Sequence, residues 1–183
     1  MSTETFMALV GLGADRPGLV ADITDYVTGL GGNVEDSRMA VLGAEFGVML
    51  LVSGTPDQIG AIDRQLEQLK AKTGMTLLCR QTKSPEHYRA QAGIPYTVTA
   101  QALDHEGIVR AVARALHGAG VNIVSLETTA YEAPVTGSQL FRLEARFDVP
   151  PGVPARRVRD AMDAVAEAEN LDIDMRALIG QNG

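Results

Sequence analysis

One stretch of this chain is written twice. Asp15-Arg16-Pro17-Gly18-Leu19-Val20 follows a short apolar run, Phe6 to Leu12, and leads through an amphipathic segment to Gly31-Gly32-Asn33-Val34. The arrangement returns as Asp104-His105-Glu106-Gly107-Ile108-Val109 and ends in Gly120-Val121-Asn122-Ile123. Without a gap, Asp15, Gly18, Val20, Gly29, Gly31 and Asn33 coincide with Asp104, Gly107, Val109, Gly118, Gly120 and Asn122. Leu19, Ile23, Val27 and Val34 meet Ile108, Val112, Leu116 and Ile123, so the apolar period is kept as well. Such a chain is a duplication, and its function is expected in what the repeated loops do.

The repeat divides 183 residues into two units of roughly 80 to 90 residues, each small for independent stability. They are therefore expected to share buried surface. With 45% apolar, 21% charged and 4% aromatic residues, the composition is that of a globular protein with an aliphatic core. No window approaches the roughly eighteen apolar residues of a membrane span, and no basic region followed by an apolar core opens the chain. The single cysteine, Cys79, lies in the apolar run Met75 to Cys79 and reads as a core thiol, which suits a reducing, cytoplasmic setting. A formal charge of -7 argues against a broad basic surface, so direct nucleic-acid binding is not expected.

Each unit reads as βαββαβ. In the first, Phe6, Ala8, Val10 and Leu12 mark a strand, and Leu19, Ile23, Tyr26, Val27 and Leu30 a helical stripe ended by Gly29, Gly31 and Gly32. Pro17 suits a first helical turn and Asp15 is placed to cap it. Asn33 to Val41 and Phe46 to Val52 are strands joined by Leu42-Gly43-Ala44. Thr55-Pro56-Asp57-Gln58 has the form of a capping box before a helix carrying Ile59, Ile62, Leu66 and Leu69, and Met75 to Gln81 closes the unit. Thr82 to Gly93 is polar and aperiodic, so 83–92 is expected to be a linker between units at 1–82 and 93–183. The second unit follows with Tyr96, Val98, Ala100 and Ala102, then Ile108, Val112, Leu116 and Ala119, then Asn122 to Thr129. Its connection Tyr131 to Ser138 is about six residues longer than the counterpart. Phe141 to Phe147, a helix with Val158, Met162 and Val165, and a strand with Leu171, Ile173 and Met175 complete it. The expected fold class is α+β: two ferredoxin-like units, each an antiparallel sheet with two helices on one face, packed together.

Several familiar chemistries fail on spacing. Gly11-Leu12-Gly13-Ala14-Asp15-Arg16 has arginine where a dinucleotide fingerprint needs glycine, and no Gly-Lys-Ser/Thr follows for a P-loop. His87, His105 and His117 have no partners at metal-ligand spacing, so no metal site is expected. His105 beside Asp104 or Glu106 could move a proton, but its counterpart is Arg16 beside Asp15 and Pro17, and no nucleophile or cofactor accompanies it. No catalytic set and no cofactor are expected. The repeated Asp, Gly and Asn can each be explained structurally, as a cap, a tight passage and a left-handed turn. As a group they invite more. The loop after the first strand and the start of the second are expected at one edge of the sheet, beside the N-terminus of the first helix. Free N–H groups there can hold a carboxylate, while Asp and Asn side chains can take an ammonium. A small zwitterion fits such a site.

Asp15-Arg16-Pro17-Gly18-Leu19-Val20 with Asn33, and Asp104-His105-Glu106-Gly107-Ile108-Val109 with Asn122, resemble the ACT domain, the small ligand-binding module of amino-acid metabolism. Two modules over nearly the whole chain, with no catalytic domain attached, resemble the glycine cleavage system transcriptional repressor group. The resemblance implies modules whose sheets or helices pair side by side, with amino-acid effectors held near those interfaces. It carries close ligand approach onto Gly18 and Gly107, and contact with effector or neighbouring module onto Asn33 and Asn122. Glu106 in place of Pro17 leaves the second loop less rigid. The resulting ligand-binding set is Asp15, Arg16, Gly18, Leu19, Asn33, Val34, Asp104, His105, Gly107, Ile108, Asn122 and Ile123. The expected function is non-enzymatic sensing of a small amino acid, glycine or serine, with output through a second copy or a regulatory protein partner. The alternatives are a structural adaptor with no effector, and an enzyme or direct DNA binder.

Overall fold

The computed structural model describes residues 4–89, 93–134 and 137–178. Residues 90–92 of the expected linker and 135–136 of the long connection after Tyr131 lie outside the described residues. The chain divides into two compact units, with the boundary between Tyr88 and Arg89.

The first unit runs β1 (Thr5–Ala14), α1 (Leu19–Gly29), β2 (Asn33–Leu42), β3 (Glu45–Gly54), α2 (Pro56–Arg64), α3 (Leu66–Thr73) and β4 (Thr76–Thr82). Its strands form one antiparallel sheet in the order β2-β3-β1-β4. A short helix, α4 (Pro85–Arg89), follows within the stretch expected to be linker. The second unit runs β5 (Ile94–Leu103), α5 (Ile108–Gly118), β6 (Asn122–Glu132), β7 (Gln139–Val149), α6 (Ala155–Glu169) and β8 (Asp172–Ala177). Its sheet order is β6-β7-β5-β8, the same topology. Both are ferredoxin-like α+β units, as the repeat implied.

Each core lies between the sheet and its helices. In the first unit Leu19, Ile23 and Val27 of α1 and Ile59, Ile62, Leu66 and Leu69 of α2 and α3 pack on Met7, Leu9, Val48, Leu50, Val52 and Leu77. The helix-facing side of β1 is therefore Met7, Leu9 and Gly11, not the Phe6, Ala8, Val10, Leu12 series; Leu12 is 56% exposed. Both sides of this strand are apolar, so alternation alone does not choose between them. In the second unit Val98 and Ala100 take the same places, under Ile108, Val112, Leu116, Val158 and Met162.

The expected single helix from Pro56 to Thr73 is broken at Gln65. The Tyr26 hydroxyl donates at 2.6 Å to the carbonyl of Ile62, the one that Leu66 N–H would use in a continuous helix. Burial pushes the Tyr26 phenol up to about 12, with Cys79 and Asp63 adding to the shift, so it remains a donor. The capping box is formed as expected: Thr55 Oγ1 accepts from Gln58 N–H and Gln58 Oε1 accepts from Thr55 N–H.

Candidate functional site

The repeated loop leaves the end of the central strand and is tied back to the neighbouring hairpin. Asp15 N–H donates to Ala44 O at 2.9 Å, and Asp104 N–H donates to Gln139 O at 2.9 Å. The chain then reverses through glycine: Gly18 (φ 89) and Gly107 (φ 99) are the residues before α1 and α5, and both are left-handed. Pro17 thus lies in the turn ahead of the helix, and Asp15 does not cap it, because the left-handed glycine separates both from the first helical turn. Neither helix start has a side-chain cap. The first helical bonds run from Asp22 N–H to Gly18 O and from Ala111 N–H to Gly107 O. The N–H groups of Leu19, Val20 and Ala21, and of Ile108, Val109 and Arg110, are the ones a helix start leaves for an anion.

Space does not explain the glycines. A side-chain carbon on Gly18 would meet only Arg16 Nη1, at 3.8 Å, and on Gly107 only Arg110 Nη2, at 3.7 Å. The constraint is the positive φ, which costs any branched residue dearly.

Arg16 and His105 hold these loops to the C-terminal ends of α3 and α6. Arg16 Nη2 donates to Asp22 Oδ2 at 2.7 Å and to the carbonyl of Lys72 at 3.2 Å, while Lys72 Nζ pairs with Asp22 Oδ1 at 2.8 Å. The hydrogen bonds from Lys72 and then Arg16 hold the Asp22 carboxyl below the usual carboxylate range. In the second unit His105 Nε2 lies 3.1 Å from the carbonyl of Glu169 and Nδ1 3.1 Å from that of Glu106. Lys72 and Glu169 occupy the last turns of α3 and α6, where unpaired carbonyls favour cationic donors. Carbonyl oxygens only accept, so both bonds to His105 require the doubly protonated ring. The backbone carbonyls of Glu106 and Glu169, in that order, raise its pKa, aided by the charges of Glu169 and Asp104 and opposed by desolvation. The sequence paired Arg16 with His105 but offered no sign of their helix-end partners, which are remote in the chain.

Of the other expected residues, Leu19 and Ile108 are each 2% exposed and belong to the cores; Val34 and Ile123 are partly buried against them. Asn33 and Asn122 are exposed, but they do not share a sheet end with Gly18 and Gly107. Asn33 pairs with Ser53, which pairs with Phe6 near the start of β1, whereas the loop leaves after Ala14, paired with Glu45. Phe6 to Ala14 of extended strand spans about 26 Å. The crossover helix carries the chain back before β2 begins, so within one unit the two motif elements stand at opposite ends. Asn122, paired with Asp148, repeats this placement.

Among the described residues there is no group of three metal-ligating side chains, and no helix is long and apolar enough to cross a membrane. Cys79 is half-buried, and burial followed by the charge of Asp63 pushes its thiol up to about 11, which makes it a poor nucleophile. A hollow of about 410 Å³ between α5 and α6 is lined mainly by alanines, among them Ala111, Ala161 and Ala168, and by none of the repeated loop or strand-start residues.

The ACT domain family model matches residues 9–80, which take in β1, the loop, Asn33 and the rest of the first unit. The first unit is an ACT domain, and the second repeats its topology. Over 82 residues it is 38% identical to the glycine cleavage system transcriptional repressor of Escherichia coli (strain K12), a match covering 45% of this chain and 43% of that protein. The matched part is thus under half the length of that relative. A solved structure of an unknown protein from Galdieria sulphuraria is 30% identical and covers 97% of this chain and all of the other, with a TM-score of 0.78. A second solved structure, provisionally described as a glycine cleavage system transcriptional repressor, covers 96% of the chain at 21% identity with a TM-score of 0.70 and attests the shared fold. The first unit thus matches the ACT domain family, and the Escherichia coli protein that it resembles is described as a transcriptional repressor.

Two outcomes follow for the ACT loops. Replacing Gly18 or Gly107 should destabilise by backbone strain, with Asn tolerated best, Ala next and Val worst, the last costing about 1–3 kcal/mol at either position. Denaturant unfolding measures this, and equal losses for Asn and Val would contradict it. His105 should lend the second ACT unit a pH-dependent stability. Its folded pKa is raised above the ordinary 6.5, so its contribution is full below that value and is lost as pH rises through the folded pKa. The melting difference between wild type and His105→Gln should be largest near pH 5.5 and shrink by about pH 8.5. A difference constant across that range would show that the ring is not held as the cation.

Proposed function

We propose that this chain is a non-enzymatic sensor of a small amino acid, with glycine and serine the leading candidates. It acts in the cytoplasm through protein contacts and bears on the expression of glycine cleavage genes. The observation that carries this reading is the loop built twice: a left-handed glycine ahead of a helix start that no side chain caps. Those N–H groups suit an α-carboxylate. The similarity to the Escherichia coli repressor supports the regulatory direction. With a net charge of -7, output through a regulatory protein partner is favoured over direct contact with DNA.

The distance between Gly18 and Asn33 gives the proposal its form. A ligand a few ångströms long cannot touch both in one module. We therefore place the loop of one module against the strand start of a module in a second copy, so that the effector bridges chains. A second reading, an adaptor without effector, draws on Arg16 and His105, whose side chains are spent on holding the fold.

Calorimetry with a panel of free amino acids separates the two. Glycine or serine should bind wild type, and Asn33→Ala should weaken binding about tenfold with the melting temperature unchanged. No heat with any amino acid would leave the adaptor as the better account.

A further inference from the structure

At the start of β2, three polar side chains converge. Asn33 Nδ2 donates to Glu35 Oε1 at 2.7 Å, and Ser53 Oγ donates to the same oxygen at 2.6 Å. Ser53 is 2% exposed, so its hydroxyl is removed from water and Glu35 is the partner that satisfies it. Glu35 can reach both because it is the extra residue of a β-bulge: the register passes from Val34 opposite Val52 to Asp36 opposite Leu51. Bulges re-aim a side chain in this way.

The arrangement fixes polarity. With one amide hydrogen committed to Glu35, Asn33 is oriented so that its carbonyl oxygen Oδ1 and its second amide hydrogen remain as contact atoms. Glu35 Oε2 has no partner among the described residues, and the neighbouring cation, Arg38, is paired with Asp36. The hydrogen bonds from Ser53 and then Asn33 hold the Glu35 carboxyl below the usual carboxylate range, so it carries its charge at neutral pH. Two acceptor atoms beside a full negative charge suit a primary ammonium with three donors and repel a carboxylate.

We propose that Asn33 and Glu35 form the ammonium-recognising half of the first module's effector site, with Glu35 acting both as counter-charge and as the residue that positions Asn33. This rests on the sensing role proposed above. It makes the modules unequal. The second module keeps the bulge, between Ile123 and Ser125, but the residue it carries is Val124, 49% exposed, and Asp148 stands in the ladder where Ser53 stands in the first. The second module thus lacks the Glu35 carboxylate, and the acid that stands opposite its Asn122 is Asp148.

The test is calorimetry on the full chain with glycine, serine and their hydroxy-acid counterparts glycolate and glycerate, which replace the ammonium with a hydroxyl. Wild type should bind the amino acids at least about tenfold more tightly than the hydroxy acids. Glu35→Gln retains an acceptor for Ser53 and Asn33 and removes only the charge. It should lose most of that discrimination while melting as wild type does, and Glu35→Asp should recover part of it. Equal binding of amino and hydroxy acids by wild type would overturn the proposal and leave a sensing role standing, with no reliance on any variant folding. Undiminished glycine binding by Glu35→Gln would equally overturn it, reducing Glu35 to a partner for a buried hydroxyl. Failure of wild type to bind any of the four would remove the sensing role itself, and this assignment with it.

Discussion

The geometry of each unit depends on one crossover. β1 ends in the repeated loop, α1 runs back across the sheet, and β2 starts beside the first residues of β1. A helix packed on a sheet this way must separate the loop from the strand start by nearly the length of a strand. Everything that looks like a ligand site is thereby split. The carboxylate-friendly N–H groups stand at one end, and the polar side chains of Asn33 and Glu35 at the other. A module with this topology cannot close a small site on its own from both motif elements.

The loops themselves are secured by backbone conformation and by charge. Gly18 and Gly107 supply a positive φ with open space around them, so their role is to turn the chain and expose the helix start. The residue two before each glycine then reaches a carbonyl in the last turn of α3 or α6. Arg16 does so with a permanent charge, reinforced by Asp22 and Lys72. His105 does so only as the imidazolium, and the counterpart of Asp22 in its helix is Ala111. The two modules thus hold the same loop through different side chains, one permanently charged and one titratable.

Much of the fold was legible because the signals were local. The capping box at Thr55, the apolar period of α1 and α5, and the gapless repeat each depend on residues a few positions apart. Errors arose where the deciding contact is remote. The break at Gln65 falls where Tyr26, on another helix, bonds the Ile62 carbonyl. The buried face of β1 could not be read from a strand apolar on both sides. The candidate site was legible as a set of residues and illegible as a place. Asn33 and Gly18 are joined by motif, yet strand pairing sets them apart, and Glu35 gains its importance from a bulge and a buried serine that no spacing rule announces.

If an effector bridges a loop of one chain and a strand start of another, its binding free energy must appear as association free energy. Sedimentation equilibrium of the full chain, with and without saturating glycine or serine, measures this directly. The account predicts that the amino acid which binds tightens self-association by at least about fivefold, and that hydroxy acids at the same concentration do not. An amino acid that binds with an unchanged association constant would contradict a site shared between chains.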